Sequence, residues 1–306
     1  MSNVAIADTS TLVSMLQTCR PGGSKSERRF IADYLIGLDL EIDQAGNLSK
    51  RIGDAPVLWS SHTDTVHKQG GQQHIVIVNR HLRLAASSKS NCLGADCTAG
   101  VWLMREMIIA QRPGLYVFHR GEESGGVGSR HIAERTPAFL EGIQYAIALD
   151  RRGTTDVITH QGFGRCCSDA FAVALSGRLG NGFKPNDTGI FTDTANYMSL
   201  VPECTNLSVG YSGEHSKAES LNLDHLLAMR KALLQLDVTG LPVARDPDAM
   251  DCYDDWGLTK HAPYGLSMRD MIIRNPELIA DILEEFGVDG TELADELYQR
   301  GGTIPL

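Results

Sequence analysis

The chain has 306 residues, with 28 Lys and Arg against 38 Asp and Glu, and so a net charge of −10. Its 42% hydrophobic and 22% charged content belongs to a folded chain rather than a disordered one. An acidic balance with no basic tract argues against a nucleic-acid partner. No stretch approaches the roughly 18 uninterrupted apolar residues of a membrane span. The start, MSNVAIADTSTLVSML, lacks the basic then apolar pattern of a secretory signal. Seven irregularly spaced cysteines point to reduced thiols. The expectation is a soluble, cytoplasmic protein with no membrane partner.

In chain order, the spacing predicts helices over residues 9–19 and 25–37, the second with Phe30, Ile31, Tyr34 and Leu35 on one face. Apolar, strand-like runs follow at 56–61 (PVLWSS), 74–78 (HIVIV), 115–118 (LYVF), 145–149 (YAIAL) and 206–211 (NLSVGY). Between them, residues 98–110 and 222–237 carry helical apolar stripes. Short apolar strands alternating with amphipathic helices predict an α/β fold in three layers, with a mostly parallel sheet buried on both faces. Residues 240–262, broken by Pro, Gly and acids, read as a linker. A helical tail follows, begun at Asn275-Pro276-Glu277 and closed by Gly287. The expected organisation is a catalytic domain over 1–239 and a 240–306 linker and helical extension packed on it. A subunit interface within a homo-oligomer is the alternative reading of that tail.

Acids and histidines follow these strands. PVLWSS runs into His62 and Asp64, LYVF into Glu122 and Glu123, YAIAL into Asp150, and NLSVGYSGE into His215. Open α/β sheets bind ligands beyond the carboxyl ends of their strands, so these groups are expected at one edge. Asp96 sits just ahead of the 98–110 helix, where the helix N-terminus favours an anion. Carboxylates crowded at one place repel each other and raise each other's pKa, and a pair of divalent cations resolves the conflict. Mixed His and carboxylate donors suit zinc.

The segments HTDTV (62–66), GADCTAG (94–100), GEESGGVGS (121–129), ALDRRG (148–153) and YSGEHSKAES (211–220) resemble, in the same order, motifs of the co-catalytic zinc metallopeptidases. These include peptidase T, carboxypeptidase G, acyl-amino-acid deacylases and zinc aminopeptidases. The resemblance covers approximately residues 55–238. It implies that His62 and Asp150 bind one metal ion, Glu123 and His215 a second, and that Asp96 bridges them. Zinc is the expected metal, with cobalt or manganese as alternatives. The resemblance also implies that Glu122 is the general base and that Asp64 orients His62. The loop GIFTDTANY resembles one that lines the family's substrate pocket, which makes Asp193 a candidate for a substrate amine and a helix N-cap its alternative. Arg151, Arg152 and Arg165 are candidates for a substrate carboxylate.

Two departures stand out. Cys97 follows the bridging Asp where the family usually has an acid or amide, and where the family has a cis peptide. Only 64 residues lie between Asp150 and His215, too few for an inserted lid domain besides core elements. The expected activity is hydrolysis of amide bonds in small peptides by a di-zinc aminopeptidase or dipeptidase. An N-acyl-amino-acid deacylase is the alternative, and a binding protein that keeps the fold without catalysis is a third. A serine nucleophile at Ser212 is excluded because its elbow needs Gly where Glu214 stands. GGVGSR lacks the Lys-Ser/Thr of a phosphate loop.

Overall fold

The computed structural model describes residues 9–162 and 164–247, and the single position 276. The expected tail helix at 275–287 therefore lies outside the described residues, apart from Pro276. Eight strands form the main sheet: β1 Glu41–Ile42, β2 Leu48–Ile52, β3 Val57–His62, β4 Gly114–His119, β5 Tyr145–Arg151, β6 Asp156–Ile158, β7 Lys184–Asn186 and β8 Glu203–Ser208. Their order is β7-β6-β8-β5-β3-β4-β2-β1. The central neighbours β8, β5, β3 and β4 are mutually parallel, while β6 on one side and β2 and β1 on the other add antiparallel pairings. The sheet is mixed, with a parallel centre.

Successive strand residues go to opposite faces, and two hydrophobic clusters result. Val57, Trp59, Tyr116, Phe118, Tyr145, Ile147, Leu149 and Leu207 join a cluster with Leu12, Leu16, Trp102, Phe171 and Leu226. These last come from the helices α1 Thr9–Leu16, α3 Ala95–Ile109, α5 Asp169–Leu179 and α6 Leu223–Gln235, and α2 Lys25–Tyr34 adds Phe30 to the same cluster. Leu58, Leu115, Val117, Ala146 and Cys204 join a second cluster with Ile132, Leu140 and Tyr197. Helix α4 Val127–Arg135 and the short 3₁₀ turns at 137–140 and 193–197 provide that layer. Three layers are present, as the alternation predicts.

Two expectations shift. HIVIV pairs not in the main sheet but in a separate four-stranded antiparallel sheet, where Val76, Ile77 and Val78 are exposed. The strand expected at 206–211 instead spans Glu203–Ser208. Polar residues stand at its start: Glu203 is fully buried and takes hydrogen bonds from Ser168, Ala244 and Arg245. The first part of the expected linker is therefore tied to the sheet. Arg245 adds hydrogen bonds to the carbonyls of Arg165, Met198, Val201 and Pro202.

Between Asp150 and His215 the described residues supply β6, β7, β8, α5 and the 193–197 turn, and no lid. Helix α3 begins at the sheet's functional edge, and its residues 95–104 are all buried. It crosses the sheet at Gly100, where a Cβ would fall 2.0 Å from the Leu149 carbonyl oxygen and 2.7 Å from Ser61 Oγ. Because the nearest obstacle is strand backbone, Gly100→Ala is expected to destabilise the fold by about 1–3 kcal/mol, the usual cost of overpacking. Denaturant unfolding measures this, and an unchanged midpoint would contradict so close an approach.

Candidate metal centre

The parallel register places His62 opposite His119 at the ends of β3 and β4, so the chain leaves both strands at one edge. His62 is buried, with Nε2 3.8 Å from Asp150 Oδ1 at the end of β5 and Nδ1 3.4 Å from Asp64 Oδ1. Asp64 does more than face this ring. Its carboxylate accepts the backbone N–H groups of Gly121, Glu122 and Glu123, each at 3.2 Å. One buried anion thus fixes the turn that carries the glutamate pair. Burial works against ionisation of Asp64, but the His62 ring and these amides outweigh it and hold the carboxyl below its ordinary pKa.

Asp96 lies in the first turn of α3. Its Oδ1 accepts the Cys97 N–H at 2.7 Å, and its Oδ2 is 3.0 Å from His215 Nε2. Glu123 Oε1 lies 3.3 Å from the same nitrogen. Contact with Asp96 first and Glu123 second raises the His215 pKa to about 11, and burial only partly offsets this. His215 has φ of 59°, a left-handed conformation unusual for a residue other than glycine, and such strain is retained where a side chain must be aimed. Burial, with Asp150, Asp193 and Glu123 nearby, pushes Glu122 up to about 9, although the His62 ring opposes it.

The donor set fits divalent cations. His62, Glu122 and Glu123 form one group whose donor atoms lie within 4.8 Å of one another, and Asp96, Glu123 and His215 form another. Glu123 Oε1 is buried with no hydrogen-bond partner and only the His215 ring 3.3 Å away, an expensive state for a polar atom. Metal–donor bonds of about 2.0–2.1 Å set tetrahedrally put donors roughly 3.3 Å apart. The His215 contacts at 3.0 and 3.3 Å match that spacing, and His62–Asp150 at 3.8 Å is slightly wider.

Cys97 Sγ also lies within 4.8 Å of donor atoms of His62 and Asp96. It receives a 2.8 Å hydrogen bond from Arg20 Nη2. Burial raises the Cys97 pKa well above that of an ordinary thiol, against the pull of Arg20. Arg20 is itself fully buried, stacked 4.0 Å over Phe30 and bound to Thr63 O and Thr98 Oγ1. No cis peptide is present among the described residues, so the bond after Asp96 is trans.

The remaining candidates are turned to partners within the chain. Asp193 is 1% exposed. It accepts from Ser129 Oγ at 2.6 Å and faces His119 Nδ1 at 3.3 Å. It opens the 193–197 turn, whose capping position is Thr192, so it is not the N-cap. Arg151 pairs with Asp156 and donates to Thr188, Arg152 pairs with Glu214, and Arg165 pairs with Asp169. An open cavity of about 590 Å³, lined by Arg152, Gly153, Asp156, Ser212, Gly213 and Glu214, flanks the segments that carry Asp150 and His215.

Sequence reasoning missed the supports of Asp150. Thr192 Oγ1 donates to its Oδ2 at 2.7 Å, Asn206 Oδ1 accepts its N–H, and the Tyr211 hydroxyl donates to its carbonyl. Thr192 stands in the GIFTDTANY loop, but only the fold shows that it faces Asp150.

The three-layer α/β fold that carries this imidazole and carboxylate cluster at its edge is shared with solved peptidase structures. Among solved structures, a tripeptidase from Staphylococcus aureus superimposes with a TM-score of 0.60 at 15% identity, covering 73% of this chain and 95% of that one. The aminopeptidase PepT from Bacillus cereus gives 0.57 at 15% identity, covering 74% and 96%. The Pyrococcus horikoshii TET1 peptidase, described as assembling into a tetrahedron or a large octahedral shell, gives 0.53 at 17%, covering 73% and 98%. No protein-family model and no curated protein matches the chain, so the likeness is one of fold. No helix among the described residues is long and apolar enough to cross a membrane.

Protonation gives a test of the cluster. At pH 7 the metal-free chain carries a proton on His215 and on Glu122, since both titrate above neutrality. Imidazole coordinates only when neutral, and nearby cations favour the ionised carboxylate. Loading a divalent ion is therefore expected to release protons, and apparent affinity should rise with pH. Calorimetric titration at pH 7 in two buffers of different ionisation heat measures the release. Identical heats in both would contradict it.

Proposed function

We propose that the chain is a metal-dependent aminopeptidase acting on small peptides with a free amino end. The observation that carries this reading is the meeting of His62, Asp96, Glu122, Glu123, Asp150 and His215 at one sheet edge. Their donor atoms crowd within a few ångströms of one another, and Glu123 Oε1 is buried without a hydrogen bond among the described residues. The fold shared with a tripeptidase, an aminopeptidase and the TET1 peptidase supports the peptide as substrate class. On this reading His62 and Asp150 would hold one ion, Glu123 and His215 the other, and Asp96 would serve both, with zinc the metal best suited to the donors. When bound, the ions would supply Lewis acidity toward the scissile carbonyl and the attacking water.

The chain's own residues do the rest. Glu122 has its backbone N–H bound by Asp64 and is free of metal duty in this assignment. Its carboxylate takes the proton of the attacking water and delivers it to the nitrogen of the departing amine. Asp64 holds Glu122 and Glu123 in one turn, so that adjacent residues serve different roles. With no lid among the described residues, the cleft is open on the side of His215, whose side chain is 50% exposed. Assembly of several copies, as described for the TET1 peptidase, belongs to this reading.

Metal-loaded protein is expected to hydrolyse leucyl amides and free dipeptides but not their N-acetylated counterparts. Turnover of only the blocked substrates would make it a deacylase, and turnover of neither would leave a binding protein. Glu122→Gln should retain the bound metal and lose at least about 100-fold in kcat, the lower range for loss of a general base. His215→Ala should instead lower the metal content per chain. Near-normal turnover by Glu122→Gln would remove this residue from the proton transfer.

A further inference from the structure

Four residues after His215, the Glu219 side chain turns into the protein and is buried, with 1% exposure. Its Oε2 accepts the backbone N–H groups of Leu93 and Gly94 at 2.8 and 2.9 Å, and its Oε1 accepts that of Ala95 at 2.7 Å. These amides immediately precede Asp96. They include donors that the start of a helix leaves without intrahelical partners, and the capping position, Gly94, has no side chain to serve them. Gly94 has φ of 72°, and a Cβ there would fall 2.8 Å from His67 Cε1. A residue with a side chain cannot replace it without displacing the buried His67. The cap comes instead from 124 residues away.

Glu219 also closes the loop that carries His215. Its N–H donates to Ser216 O at 3.2 Å, and a Cβ on Gly213 would meet Ala218 O at 3.1 Å. The turn is therefore tight, and within it His215 keeps its left-handed conformation. One carboxylate thus joins the backbone leading into Asp96 to the backbone leading out of His215, whose side chains meet at 3.0 Å. An ordinary capping residue would come from the helix's own neighbourhood and would have no effect on a distant loop.

We propose that Glu219 is a positioning residue: it sets the approach of His215 to Asp96, and through it the affinity of the cation position formed by Asp96, Glu123 and His215, without touching ion or substrate. This rests on the metal-centre reading above and deepens it. Groups that orient metal ligands from behind typically contribute 10–100-fold in affinity. In Glu219→Gln the volume is kept, but one of the two acceptor atoms becomes a donor facing backbone N–H.

The test is titration of the metal-stripped full-length chain with Zn²⁺, and with Co²⁺ followed by its visible d–d absorption. Wild type is expected to bind in two steps. Glu219→Gln should weaken one step by about 10–100-fold, change the cobalt spectrum of that ion, and weaken the other step less, through the shared Asp96. At stoichiometric metal its kcat should fall, and excess metal should restore it with KM unchanged. Equal affinity in both steps, with only a lowered melting temperature, would make Glu219 a simple cap and overturn the proposal. If Glu219→Gln does not fold, Glu219→Asp keeps the charge and shortens the reach by one methylene. It should weaken the same step to a smaller degree, and unchanged binding would again overturn the proposal. Wild type that binds no divalent ion would defeat the metal-centre reading itself, a distinct result.

Discussion

Carboxylates crowd the carboxyl edge of the central sheet, and their repulsion is the constraint on which the site depends. Asp64, Asp96, Glu122, Glu123 and Asp150 face two imidazoles, and among the described residues none of these acids is paired with an arginine or lysine. Two like charges about 4 Å apart cost roughly 4 kcal/mol at the effective dielectric of a protein surface. A fold does not retain several such pairs without something to offset them. In the protein alone, protons do so: His215 is held protonated, and Glu122 is held neutral. Divalent cations would satisfy the same requirement more completely, because each would supply two charges and accept the lone pair that Glu123 Oε1 leaves without a hydrogen bond.

The scaffold around the edge serves to keep these charges from moving apart. Asp64 gathers three successive amides, Glu219 gathers three more, and Thr192, Asn206 and Tyr211 fix Asp150 from three directions. Backbone donors answer carboxylate acceptors in both clusters, so the positions follow from main-chain geometry rather than from flexible side chains. Helix α3 transmits that rigidity into the core through its contact at Gly100, where no side chain separates helix from strand. The donor spacing is therefore set before any ion arrives.

The candidate donors His62, Glu122, Glu123 and Asp150 were legible because they follow apolar runs: His62 after Val57–Ser61, Glu122 and Glu123 after β4, Asp150 after Tyr145–Leu149. Periodicity located the strands, and strand direction then placed their ends together. Less was visible where burial is polar. Glu203 and Thr205 lie inside β8 with no exposure, so that strand carries no apolar run at its start and was expected too late in the chain. Helix α4, VGSRHIAER, is amphipathic but short and polar, and its existence depends on packing against the 193–197 turn. The role of Glu219 had no local signal, because the amides it serves are more than a hundred residues away in the chain. Asp193 and Arg151 looked available to a substrate because exposure is not written in residue type, and the fold gave both of them internal partners.

Anomalous diffraction at the zinc absorption edge from zinc-loaded crystals addresses the central claim most directly. Two peaks about 3.5–4 Å apart, with Asp96 between them, His62 and Asp150 at one and Glu123 and His215 at the other, are the result this account requires. A map without density at that edge of the sheet, or with an ion bound away from Asp96, would contradict it.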